Sequence, residues 1–161
     1  MTTRRDFLRN GWKVGTTLLA LAATWTLWES LRPLSTSSSS GLVDLGNQAN
    51  FAAGTATYVP EGRLYAVNTG TTYLALSQKC PHLGCKIPPL CQSSGYFECA
   101  CHGSAFDITG AWVKGPAPRG MDQFKLTAVG DSLVANTKDL IPGPDHGSSL
   151  PPKGPPCSSG G

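Results

Sequence analysis

Two short stretches, Cys80-Pro81-His82-Leu83-Gly84-Cys85 and Cys99-Ala100-Cys101-His102-Gly103-Ser104, stand 13 residues apart and govern how the rest of the chain is read. Each sets a cysteine near a histidine, as Cys80-x-His82 and Cys99-x-x-His102. Two loops that each offer one thiolate and one imidazole can hold zinc in a Cys2His2 site. The same donors can hold a 2Fe-2S cluster, with both thiolates on one iron and both imidazoles on the other. Zinc fingers usually keep their cysteines together and their histidines together. Here each loop is mixed, which lets the two ligand types sort onto different metals and favours iron. Cys85 and Cys101 occupy matching places in the two loops, and in an oxidising compartment such a pair can form a disulfide.

Around the loops the texture is that of short strands. Segments 42–45, 63–67, 72–76, 95–98, 111–113 and 132–135 are rich in β-branched, aromatic and leucine residues, and glycine-containing turns separate them. The 19 glycines and 13 prolines also favour a turn-rich, strand-built domain over a helical bundle. No segment after residue 41 has helical periodicity. Residues 42–138 therefore read as one all-β domain. Residues 139–161 read as a tail rich in Pro, Gly and Ser, loose or draped on the surface.

The N-terminal part has a different character. The net charge of +3 resides wholly in residues 1–32, where Arg4, Arg5, Arg9, Lys13 and Arg32 face only Asp6 and Glu29. From Pro33 onward, eight basic residues balance eight acidic ones. A neutral domain behind a basic N-terminus speaks for membrane topology and against nucleic-acid binding. Thr3-Arg4-Arg5-Asp6-Phe7-Leu8 resembles a twin-arginine export signal and defines a cytoplasmic segment, residues 1–10. Residues 11–32 form the expected transmembrane anchor. Its 15 uncharged residues between Lys13 and Glu29 are short for a span, but Trp12, Trp25 and Trp28 mark its ends. A small-residue cleavage site does not follow the apolar core, which favours an uncleaved single pass. Residues 33–41, rich in serine, read as a flexible hinge linker.

Taken together, Cys-x-His-x-x-Cys followed by Cys-x-Cys-His-x-Ser resembles the fingerprint of the Rieske iron–sulfur proteins. The likeness extends to Ala75-Leu76-Ser77, Phe106-Asp107, Gly110 and Gly115-Pro116-Ala117-Pro118, across about residues 42–136. It implies a Rieske-type antiparallel β-sandwich. It implies Cys80 and Cys99 on the buried iron, His82 and His102 on the outer iron, and a disulfide between Cys85 and Cys101. Ser104 matches a serine that hydrogen-bonds a cluster sulfur, and residues 115–118 match a proline loop that covers the cluster. Imidazole ligation implies a potential of about −150 to +300 mV. High-potential members carry a tyrosine where this chain has Phe106, so the expected potential is intermediate and suits menaquinol. The membrane-bound branch of the family implies a redox subunit of a quinol–cytochrome c (or plastocyanin-like) oxidoreductase, with cytochrome b and c-type cytochrome partners in a dimeric bacterial complex. His102 would contact quinol, with His82 beside it, on the periplasmic side. The alternative is an electron-transfer subunit of a periplasmic molybdenum enzyme such as arsenite oxidase.

Other residues carry plainer expectations. Cys91 and Cys157 remain, either paired with each other or free. His146 is expected in solvent, Lys79 on the surface, and Trp112, Tyr58, Tyr65 and Tyr73 in packing.

Overall fold

The computed structural model describes residues 3–31 and 41–157, in two units divided between Thr36 and Ser37. The first is a single helix, α1 (Arg4–Leu31), 28 residues long. Thr3 caps it: its hydroxyl accepts the Asp6 amide at 3.3 Å and donates to the Asp6 carboxylate at 2.6 Å. Both arginines of the motif, Arg4 and Arg5, therefore lie inside the helix. The transmembrane span expected over residues 11–32 is not supported: among the described residues, no helix is long and apolar enough to cross a membrane. Length is ample, so apolarity is what falls short. Thr16, Thr17, Thr24 and Thr26 interrupt the apolar run, each hydroxyl turned back onto a helix carbonyl. The expected hinge, residues 33–41, lies outside the described residues except for Gly41.

Among its described residues the second unit contains nine strands: β1 (Leu42–Asn47), β2 (Thr55–Val59), β3 (Leu64–Asn68), β4 (Tyr73–Ser77), β5 (Phe97–Glu98), β6 (Ala105–Phe106), β7 (Trp112–Lys114), β8 (Gln123–Val129) and β9 (Ser132–Ile141). Six form an antiparallel sheet in the order β1-β9-β8-β4-β3-β2, and three short ones form a second sheet, β5-β6-β7. The all-β expectation holds. Strand β9 runs to Ile141, past the expected domain edge at 138.

Strand β3 shows why the site has a rigid floor. All five of its residues are buried. Side chains alternate across a strand, so Leu64 and Ala66 enter one core with Phe51, Ala75, Leu133 and Ala135. Tyr65 and Val67 enter the other, which joins Leu76 to Phe97, Phe106, Cys80 and Cys99. This second core packs the large sheet against the small one and contains both free cysteines. Tyr65 anchors it, with its ring centroid 4.9 Å from that of Phe97 and its hydroxyl donating to the Ile87 carbonyl at 2.7 Å.

Candidate metal centre

The two cysteine–histidine loops leave the ends of β4, β5 and β6, and their backbones are bonded alike. The Cys80 amide donates to the Cys85 carbonyl at 2.8 Å, and the Gly84 amide donates to the Cys80 carbonyl at 2.9 Å. In the second loop the Cys99 amide donates to Ser104 at 2.8 Å and the Gly103 amide to Cys99 at 3.1 Å. Gly84 and Gly103 both have left-handed φ, 81° and 74°, which glycine adopts without strain. Each loop thus folds back over its own cysteine.

Cys80 and Cys99 are the free cysteines, and both are buried, 2% and 3% exposed. Burial pushes the Cys80 thiol up to about 11; Cys99 adds to the shift and the His82 and Leu83 amides oppose it. The Cys80 thiol therefore stays protonated unless a cation supplies compensating charge. His82 is half-buried and His102 exposed, and their rings meet edge to face with centroids 4.9 Å apart. Thiols inside and imidazoles outside form a segregated donor set. It fits a two-iron cluster with sulfur ligands on the inner metal and nitrogen ligands on the outer one.

Cys85 and Cys101 form a disulfide that joins the tips of the two loops, with their Cα atoms 6.7 Å apart. The sulfurs of Cys85, Cys99 and Cys101 lie within 4.8 Å of one another, but two of them are bonded together and offer no thiolate. Ser104 is buried, and its side-chain oxygen accepts the Ala117 amide at 3.1 Å. The loop 115–118 presses against the second ligand loop: a Cβ on Gly115 would stand 2.5 Å from Ser104 Cα. Phe106 is wholly buried in the same core as the free cysteines.

Three features were missed, left open or only partly foreseen in the sequence. First, Cys91-Gln92-Ser93-Ser94-Gly95-Tyr96 is a third loop of the same kind. Its Cys91 amide donates to Tyr96 and its Gly95 amide to Cys91, both at 2.8 Å, and Gly95 has φ 73°. The shared signal is Cys-x-x-x-Gly, at 80, 91 and 99. Second, Cys91 is bonded to Cys157, so the two leftover cysteines pair. Third, His146 is exposed as expected but is also partnered. It stacks on Trp112 with centroids 3.9 Å apart, and its Nε2 lies 2.9 Å from the Ala117 carbonyl. A groove of about 720 Å³ beside the first loop, lined by residues including Tyr58, Arg63, Gln78, Lys79 and Lys86, contains neither cluster-loop histidine.

Residues 42–125 match the model of the Rieske [2Fe-2S] domain family. The chain is 33% identical over 98 residues to the cytochrome b6-f complex iron-sulfur subunit of Chlorobaculum thiosulfatiphilum, which covers 55% of this chain and 54% of that protein. It is 32% identical over 106 residues to the corresponding subunit of Synechococcus elongatus, covering 58% of each. The chain thus spans somewhat over half the length of these curated relatives. The crystal structure of the cyanobacterial plasma membrane Rieske protein from Synechocystis PCC 6803 gives a TM-score of 0.46 at 30% identity, over 58% of this chain and 97% of that one.

Proposed function

We propose a function from an established premise: the chain belongs to the Rieske [2Fe-2S] domain family. In this reading it is the iron–sulfur subunit of a cytochrome bc or b6-f type complex, taking an electron from quinol at a cytochrome b site and passing it to a c-type cytochrome. The observation that carries the reading is the exposed His102 beside two buried free cysteines, in a chain whose matched relatives are cytochrome b6-f iron-sulfur subunits.

Cys80, His82, Cys99 and His102 would hold the cluster, which supplies one-electron acceptance when bound. His102 is open to solvent and presents an imidazole to a partner. It would accept a hydrogen bond from a quinol hydroxyl and then its proton. Neither histidine lines the groove beside the first loop, and His102 lies open on the surface, so in this reading a partner chain supplies the quinol pocket. Turnover with quinol therefore needs the assembled complex. Phe106 brings no hydroxyl near the ligand sulfurs, which supports an intermediate potential and menaquinol as donor. The exposed leucines and tryptophans of α1, Trp12, Leu19, Trp25 and Trp28 among them, support its role in holding the head at the outer face of a bacterial membrane.

The test is low-temperature EPR on ascorbate-reduced native membranes, with and without an inhibitor of quinol oxidation. A rhombic signal averaging below the free-electron g value, with a line shape that the inhibitor shifts, is the expected result. A signal indifferent to the inhibitor overturns the quinol role and favours docking on a catalytic partner such as a molybdenum enzyme. Zinc without iron or acid-labile sulfide overturns the cluster itself.

A further inference from the structure

Residues 142–157 form a strap across the head, and we propose that His146 within it is a positioning residue that sets the loop 115–118 against the metal centre. The strap is fastened at both ends. Near β9, the Gly120 amide donates to the Pro144 carbonyl at 2.7 Å and the Gly143 amide to the Asp122 carboxylate at 3.1 Å. Further on, the Leu150 amide donates to buried Asp107 at 2.8 Å, and Tyr96 donates its hydroxyl to the Leu150 carbonyl at 2.8 Å. The Lys153 amide bonds Ser94 at 2.9 Å, and Cys157 closes the end by its disulfide to Cys91.

Between these fastenings lies His146. A carbonyl oxygen only accepts, so at 2.9 Å from the Ala117 oxygen the His146 Nε2 carries the proton. The ring stacks on Trp112 at an interplanar angle of 19°, and Trp112 donates its own N–H to the Gly115 carbonyl at 3.1 Å. Two stacked rings thus hold two carbonyls of one loop. On its other side Ala117 donates its amide to the Ser104 oxygen, and the Ser104 carbonyl accepts the Cys99 amide. Ala117 is gripped through both of its backbone polar groups, one facing the strap and one facing the second ligand loop. Releasing the first loosens the second, and the Ser104 hydroxyl, proposed to donate to a cluster sulfur, then loses the amide that fixes its oxygen. Donors to cluster sulfurs stabilise the more negative, reduced state, so the looser arrangement has a lower potential.

This inference rests on the cluster reading, and its test separates the two. In the full-length holoprotein, His146→Phe keeps the ring and its stack and removes only the donor. His146→Gln restores a donor. The EPR-monitored midpoint and hydrogen exchange of the Ala117 amide are measured in each. His146→Phe is expected to lower the midpoint and speed the exchange, and Gln to recover both in part. In a Ser104→Ala background the His146→Phe substitution should leave the midpoint where Ser104→Ala put it, because both act through one hydroxyl. A midpoint and an exchange rate at wild-type values in His146→Phe overturn the proposal. So do shifts that add in the double variant. A wild-type protein without iron and acid-labile sulfide overturns the cluster reading instead, and the exchange arm still reports on the grip.

Discussion

Phe106 lies directly opposite Phe97 in the β5–β6 pair, and neither ring has exposed surface. Both belong to the core that contains Cys80 and Cys99. A hydroxyl introduced at Phe106 would enter the core that also contains the proposed ligands Cys80 and Cys99. Phe106→Tyr is therefore expected to raise the cluster midpoint, because a new donor to sulfur favours the reduced state. The core is closely packed, so the added oxygen costs about 1–3 kcal/mol of stability. Redox titration and thermal melting check the two parts separately. A midpoint that stays or falls removes Phe106 as a determinant of potential.

Tyr65 gives the alkaline limb of stability a definite origin. Burial holds its phenol above the ordinary 10.0; the Gln78 hydrogen bond opposes this and the Tyr58 charge adds to it. Its neutral form is therefore favoured in the fold. That stability is fully present below pH 10 and is lost as pH rises from there through the raised folded-state value. Urea unfolding of the wild type between about pH 8 and pH 11 should show the decline. Tyr65→Phe should flatten it while costing about 1–2 kcal/mol at neutral pH, since the Ile87 carbonyl loses its shorter donor. An equally steep decline in the variant assigns it to other groups.

The contrast between Tyr65 and the strap shows what sequence could reveal. Strand β3 was legible because a run of β-branched, aromatic and leucine residues needs no distant partner to be recognised. The candidate metal-centre residues stood out because seven of them fall within two six-residue windows. The ordered strap did not. Its composition offers little to bury, and it is held by single hydrogen bonds to Asp107, Ser94 and Glu98, between 43 and 59 residues away. Such acceptors leave no local pattern. Strands β2, β6 and β8 were also missed: β2 has no fully buried residue, β6 is two residues long and exists only by pairing, and β8 alternates but carries a Lys that strands disfavour. In α1 the run of small and apolar residues suggested a span, but the threonines among them lower its apolarity.

Cys91–Cys157 is expected to carry a large share of the stability of the head. It closes a loop of 66 residues, against 16 for Cys85–Cys101. Chain entropy puts the two at about 4 and about 3 kcal/mol. Cys157→Ser should therefore lower the melting temperature clearly while the cluster signal persists, because neither sulfur is among the proposed ligands. Thermal melting with EPR on the same sample checks this. Loss of the signal at temperatures where the variant is folded would tie the strap's end directly to cluster retention.

His102 is the ligand candidate where exchange of one donor for another is most informative, because it is exposed and a smaller side chain there disturbs no core. His102→Cys would replace a neutral imidazole by a thiolate and so add a negative charge beside the outer iron. Each added charge opposes reduction. The midpoint is expected to fall by a few hundred mV, towards the region near −400 mV of all-thiolate clusters. The variant should still contain iron and acid-labile sulfide in wild-type proportion, since thiolate is at least as good a ligand for iron. It should also lose quinol oxidation in the assembled complex, both because the driving force is gone and because the group proposed to take the quinol proton is absent. Iron analysis, redox titration and turnover read these three effects independently. A cluster retained at an unchanged potential would place the outer iron away from His102, and a protein whose metal content is zinc throughout would remove iron from the site altogether.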